Sequence, residues 1–207
     1  MRALFWALLL PGCALFAKTT PQEIRYFSPE RVNASTASSP REEGAAPLRL
    51  GHFTSSANLR YRIVHRDSDF EMGEYESLRW TDDPEVYVRR ALVRALFEER
   101  PLKQEVVGAP PTLDVDVVVF EEVRRGAHRA GRVELRYQLQ HEGRILASGL
   151  VTRERSAESG AAEPVVAAIA GAMDDAASDV ATAVASRLAG SSGPTVAPGP
   201  KGHASAP

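Results

Sequence analysis

The residue with the most specific chemistry in this chain of 207 residues is its single cysteine, Cys13. One thiol cannot close an intrachain disulfide, so its use lies elsewhere. It follows Leu10-Pro11-Gly12, where the small Gly12 lets a peptidase approach the bond before a cysteine that can carry lipid as a thioether. The other reactive types form no constellation. His52, His65, His128, His141 and His203 stand at no metal-ligand spacing with one another, with the cysteine or with a carboxylate. Asp114 and Asp116 fall on one face of a strand pattern; they could act as paired acids, but read more simply they begin a solvated strand. Glu121-Glu122 against Arg124-Arg125 reads as charge at a hairpin end. No G-x-S-x-G elbow or phosphate-cradling glycine loop is present, and Ser35, Ser38, Ser39 and Ser68 lie in loop patterns without a placed base. The sequence therefore names no catalytic residue, no metal ligand and no cofactor.

The segment before Cys13 explains it. Arg2 is a minimal positive region, and the apolar run Ala3-Leu4-Phe5-Trp6-Ala7-Leu8-Leu9-Leu10 follows. Eight residues span about 12 Å as a helix, too short for a bilayer core of about 30 Å. Residues 1–12 thus read as a lipoprotein signal peptide, with Pro11 standing where a small or β-branched residue is usual. Lipid on Cys13 becomes the membrane anchor: two or three acyl chains at about 0.8 kcal/mol per buried methylene hold a protein stably on a bilayer. Ala14, where an aspartate would retain the protein at the inner membrane, points to the periplasmic side of the outer membrane.

These residues need elements to carry them. Hydrophobic residues make up 43% and charged residues 25%, enough apolar material for one ordinary globular domain. The formal charge is -2; removing Arg2 with the signal leaves 24 basic against 27 acidic residues, or -3. With no concentrated basic stripe, nucleic acid is excluded as a partner class. Residues 13–22 read as a lipidated tether, 23–189 as the domain and 190–207, rich in Gly, Ser, Pro and Ala, as a disordered tail. No internal repeat is present.

Within the domain, residues 23–30 suggest a first strand, 33–47 a polar surface loop and 48–53 a second strand. Leu59, Tyr61, Ile63 and His65 alternate with Arg60, Arg62 and Arg66, broken only by Val64. Asp67-Ser68-Asp69 is the turn to a partner strand over 70–80, with Gly73 as a candidate bulge. Asp82-Asp83-Pro84-Glu85 starts a helix running to about Glu99, with Val88, Leu92, Val93, Leu96 and Phe97 on one face. Residues 113–123 form a valine-rich central strand. Residues 133–140 alternate cleanly, Glu142-Gly143 turns the chain, and 145–153 completes an antiparallel meander. A second helix over 164–188 carries a stripe of Val165, Ile169, Met173, Ala176, Val180 and Val184. The predicted fold is α+β: a mainly antiparallel sheet with two helices packed on one face.

Residues 59–80 (LRYRIVHRDSDFEMGEYESLRW), followed by Asp83-Pro84 and an amphipathic helix, resemble the ABC-type transport auxiliary lipoprotein family, relatives of the paraquat-inducible intermembrane transport lipoprotein. In that family a Leu-Arg strand leads to an "IVYR" strand, a short turn and a tryptophan before the first helix. Here these are Leu48-Arg49-Leu50, Ile63-Val64-His65-Arg66 and Trp80, with His65 in place of the usual tyrosine. The resemblance extends from Tyr26-Phe27 through the second helix. It implies a periplasmic α+β domain without chemistry of its own, accompanying an MCE-domain transport protein of an ABC-type lipid transport system.

Three functions fit these readings. The first is a non-catalytic accessory that docks such an assembly to the outer membrane. The second is a carrier shielding an acyl chain between helix and sheet, which needs an apolar cavity of several hundred Å³. The third is a structural lipoprotein of envelope assembly. The candidate partner-binding face is Arg60, Arg62 and Arg66, able to meet an acidic partner or another copy of the chain as a homo-oligomer. Exposed arginines contribute little to folding, so their replacement by Glu should leave the fold intact. Trp80, Tyr75 and Phe70 could form a partner-binding patch near a sheet edge; read more simply they are core, with Trp80 packed beneath the first helix.

Overall fold

The structure is a computed structural model that describes residues 23–30 and 45–191. Cys13, the tether and the tail from residue 192 onward lie outside the described residues.

Among the described residues, eight strands and two α-helices follow one another as β1 (Arg25–Phe27), β2 (Ala46–Ser55), β3 (Arg62–Arg66), β4 (Met72–Trp80), α1 (Pro84–Val93), β5 (Leu102–Gln104), β6 (Thr112–Arg125), β7 (His128–His141), β8 (Arg144–Ser156) and α2 (Ala162–Ser191). The expected meander is present: β6 pairs antiparallel with β7, and β7 with β8. Glu142 and Gly143 both take positive φ, 50° and 74°, which a two-residue hairpin turn of matching twist requires. β6 is central, as its valines predict.

Most of the pairing is antiparallel, as expected, and parallel strands are added to it. On its second edge β6 receives β2 along Thr112–Val117 and then β3 along Glu121–Val123, both parallel. β1 adds parallel to β4, and β5 parallel to β2. The reason is connectivity: the chain passes from β2 to β3 without reversing, so both strands run the same way along one edge. Leu59-Arg60-Tyr61 forms the step between them, with Leu59 buried, so the strand predicted from residue 59 begins only at Arg62.

Both helices cover one face. α1 and α2 bury Val88, Leu92, Ile169, Met173, Val180 and Val184 against Leu113, Val117, Phe120, Val133, Leu135 and Leu139. Trp80 meets Phe120 and Tyr87 edge-on at 5.4 and 6.2 Å, beneath α1 as expected. Gly131 of β7 lies directly under α2: a Cβ there would collide with the backbone of Ala168 and Ile169. Helix and sheet thus touch where a carrier would need a cavity.

Three local expectations are revised. α1 is shorter than predicted, because Arg94–Glu98 winds as a π-helical turn in which the Glu99 N–H reaches the Arg94 carbonyl. That turn keeps Ala95 and Leu96 buried and sends Arg94 to Asp174 of α2 at 2.6 Å. Gly73 marks no bulge; the β3–β4 irregularity falls between Arg62 and Val64, opposite residues 74–79. Gly73 instead leaves room for the His65 ring, 2.6 Å from where a Cβ would stand. Phe70, expected in a strand, sits in the turn before β4 and is 99% exposed.

Candidate functional site

The three arginines of the candidate face do not share one environment. Arg60 is exposed in the step before β3. Arg62 is half-exposed in β3 and lies 3.2 Å from Glu74 of β4. Arg66, at the end of β3, is drawn inward: its Nε donates to Glu121 Oε1 at 2.7 Å and its second nitrogen to Oε2 at 3.1 Å. That bidentate contact raises the Arg66 pKa above its ordinary value, against the opposing effect of burial. Arg66 is therefore part of the fold, and the expectation that its replacement by Glu is harmless is corrected.

Glu121 and Glu122 are the buried charges of this domain, 1% and 0% exposed. Adjacent strand residues point to opposite faces. Glu122 is level with Gly131, the glycine beneath α2, so it faces the helices, and Glu121 faces the open side of the sheet. Arg132 of β7 donates to Glu121 at 2.8 Å, so two guanidinium groups clamp one carboxylate. On the covered side the Tyr75 hydroxyl and Arg124 Nε both donate to Glu122 Oε2, at 2.7 and 2.8 Å. Arg124 also lies over the Tyr75 ring at 4.9 Å. Burial, then the hydrogen bond to Glu122, raises the Tyr75 pKa. Arg129 Nε is 3.4 Å from Glu122 Oε1 without completing a hydrogen bond. His65 stacks edge-on to Tyr75 at 5.3 Å, its Nδ1 2.9 Å from Asp67 Oδ2 but off the line of a hydrogen bond.

The hairpin-end reading of Glu121-Glu122 is thereby replaced. Arg125 alone behaves that way, pairing with Glu154 at 2.6 Å. No periodic signal marks two consecutive glutamates as buried. The available clue was an excess of arginines on the neighbouring strands, and it is visible only once the register is known. Chemically the cluster joins strands, each carboxylate being paired with a guanidinium group. Among the described residues no group of three or more His, Cys, Asp or Glu is placed to hold a metal ion.

Asp114 and Asp116 face the open side in a groove of about 480 Å³, shared with His52, Thr54, Arg136 and Leu150. Asp114 accepts from the His52 N–H at 2.7 Å and Gln140 Nε2 at 2.8 Å, and Asp116 from Thr54 Oγ1 at 3.1 Å. They bridge strands as hydrogen-bond acceptors, half-buried where the sequence suggested the solvated start of a strand. Arg79 is a further residue the sequence did not single out. It donates to the carbonyls of Tyr75, Glu76 and Leu78, closing the irregular stretch of β4.

Among the described residues no helix is long and apolar enough to cross a membrane. By sequence, neither a protein-family description nor a curated protein matches the chain. By structure, the fold is shared with the protein XCC0632 of Xanthomonas campestris, assigned to DUF330, at 23% identity and TM-score 0.67, over 81% of this chain and 99% of that one. It is also shared with an uncharacterized protein at 17% identity and TM-score 0.62, over 78% of this chain and 99% of that one. The hypothetical protein CT253 of Chlamydia trachomatis aligns at 6% identity and TM-score 0.53, over 71% of this chain and 99% of that one.

Proposed function

We propose that the chain is a membrane-anchored accessory lipoprotein, held by lipid on Cys13, whose folded domain has no chemistry of its own and docks an MCE-type ABC transport assembly to the outer membrane. The observation that carries the anchor is Leu10-Pro11-Gly12-Cys13 behind an apolar run too short to span a bilayer. The family resemblance over residues 59–80 and Trp80 supports the transport assignment. The fold agrees with a docking role, because its buried charges are spent on strand pairing. The carrier alternative is disfavoured by the direct contact of α2 with Gly131.

The test is affinity capture of tagged full-length protein from cross-linked membranes, with the captured proteins identified by mass. Recovery of an MCE-domain protein is expected. Recovery of envelope-assembly factors without one would overturn the transport reading in favour of a structural role.

A further inference from the structure

The sheet ends on β8, and that edge is open. β1 and β5, the other terminal strands, have three residues each, too short to offer a ladder. β8 has 13 residues and, among the described residues, pairs with β7 alone. Its hydrogen-bond phase follows from the register. The Ala157 N–H donates to the Arg129 carbonyl, one step beyond the last β7–β8 pair, Ala130 with Ser156. Backbone groups alternate in direction along an antiparallel strand, and the register is unbroken from Ala147 to Ser156. Odd residues of this stretch therefore turn their N–H and C=O to β7, while Ser148, Leu150 and Thr152 turn theirs outward. The Thr152 carbonyl is accordingly met by a side chain, Arg153 Nη1 at 2.9 Å.

An open edge is usually guarded by charge, proline or a bulge. Here the guards stand only at the two ends. At one, the register shifts at Leu146, whose carbonyl accepts from Arg187 Nε of α2 at 2.8 Å. At the other, Arg153 and Arg155 are drawn to Asp179 and Asp175 of α2, and Glu154 to Arg125. Between them residues 145–152, ILASGLVT, carry neither charge nor proline. The midpoint of β8 is Leu150, 54% exposed beside the open-side groove.

We propose that β8 pairs antiparallel with β8 of a second copy about a two-fold axis at Leu150, so that one sheet runs through both copies. The occupant is a second copy because the edge is complementary to itself about this residue. Leu150 meets Leu150 of the second copy through two reciprocal N–H···O bonds, and Ser148 meets Thr152 in the same way. Arg153 and Glu154 fall opposite Ala147 and Leu146, so no like charges face each other. An axis at Arg153 would set that arginine against itself. The Thr152 carbonyl keeps Arg153 on one lone pair and takes the Ser148 N–H on the other. Both pairs of helices then lie on one face of the joined sheet and both grooves on the other. The pairing is independent of which assembly the domain docks.

The test is oxidative cross-linking of full-length Leu150→Cys and, separately, Thr152→Cys in cell-envelope membranes. Cα atoms of a hydrogen-bonded pair stand about 5.5 Å apart, within reach of a disulfide. Two copies of position 152 would stand about 14 Å apart along the strands, out of reach. Leu150→Cys should give a covalent dimer whose tryptic peptide 145–153 is linked to its own copy, and Thr152→Cys should not. Reading the link in that peptide separates it from any link through Cys13. The double variant Ser148→Cys, Thr152→Cys, whose cysteines face each other across the axis, should also dimerise and checks the register without touching Leu150. Circular dichroism verifies that each variant folds. Folded Leu150→Cys and double-variant chains that stay unlinked overturn the pairing. Equal linkage from Leu150→Cys and Thr152→Cys, the mark of random collision, overturns it too, as does a link from position 150 to a different protein.

Discussion

β2 and β3 run end to end along the same edge of β6, in the same direction, and different forces hold them there. Along β2, Leu48 and Leu50 join Leu113, Leu139 and the helix residues Leu92 and Leu96 in one buried cluster, with uncharged donors of His52 and Thr54 on Asp114 and Asp116. Along β3, Ile63 and Val64 join the same cluster, and buried charge is added: Arg66 and Arg132 enclose Glu121 on one face, while Tyr75 and Arg124 enclose Glu122 on the other. Apolar burial is non-directional and tolerates small shifts, whereas a bidentate guanidinium–carboxylate pair is satisfied in a single geometry. The charged half thus fixes how β3 is registered on β6, and through β3 where the Phe70 turn is held. The apolar half supplies most of the stability.

The largest expected effect lies in the apolar half. Leu92→Asp places an unpaired charge in a fully buried position and should abolish the cooperative urea transition. The milder Leu113→Ala should cost about 2–5 kcal/mol. In the charged half, Glu121→Ala leaves two guanidinium groups facing each other and should cost about 3 kcal/mol, with Arg66→Glu of similar size. Replacing Arg66, Glu121 and Arg132 together by Met, Leu and Met should return stability to near the native value, because desolvation offsets most of the attraction within a buried ion cluster. A triple variant as unstable as Glu121→Ala would show that the charges carry net stability, and the contrast between the halves would fail.

A smaller effect separates these buried pairs from the exposed ones. Hydrogen bonds from Arg125 and Arg155 hold the Glu154 and Asp175 carboxyls below their ordinary values. A depressed folded-state pKa contributes stability above the unfolded value, and that stability is lost as pH falls through the folded value. Arg125→Gln with Arg155→Gln should therefore lower the urea midpoint slightly at neutral pH and bring it onto the native curve as pH falls through about 5 to 3. The smallest effect belongs to the exposed part of the arginine face: Arg60→Glu with Arg62→Glu should change stability by no more than about 0.5 kcal/mol. If these two residues dock a partner, the same variant loses capture of the MCE protein while the fold persists.

The same contrast explains what the sequence disclosed. Apolar periodicity announces itself, so α1, α2, β6 and the β6–β7–β8 meander were legible, as were the burial of Trp80 and the α+β class. Parallel pairing was not, because β2 and β3 are brought together on β6 by chain path and not by a local pattern. The buried glutamates were hidden for a related reason. A charged residue reads as solvent-facing until its partners are known, and Arg66, Arg132, Tyr75 and Arg124 come from four separate stretches of chain. Arg66 itself misled in the same way, since a period-2 row of arginines looks like a surface until one of them finds a carboxylate underneath. The reading of Cys13 rests on its neighbours alone, and the residue lies outside the described residues.

The measurement that bears most directly on the account is the intact mass of the protein extracted from the cell envelope. An anchored accessory lipoprotein should lack residues 1–12 and carry a diacylglyceryl group, with or without a further acyl chain, on a new N-terminal Cys13. A chain that retains residues 1–12, or begins elsewhere with a free Cys13 thiol, would contradict it.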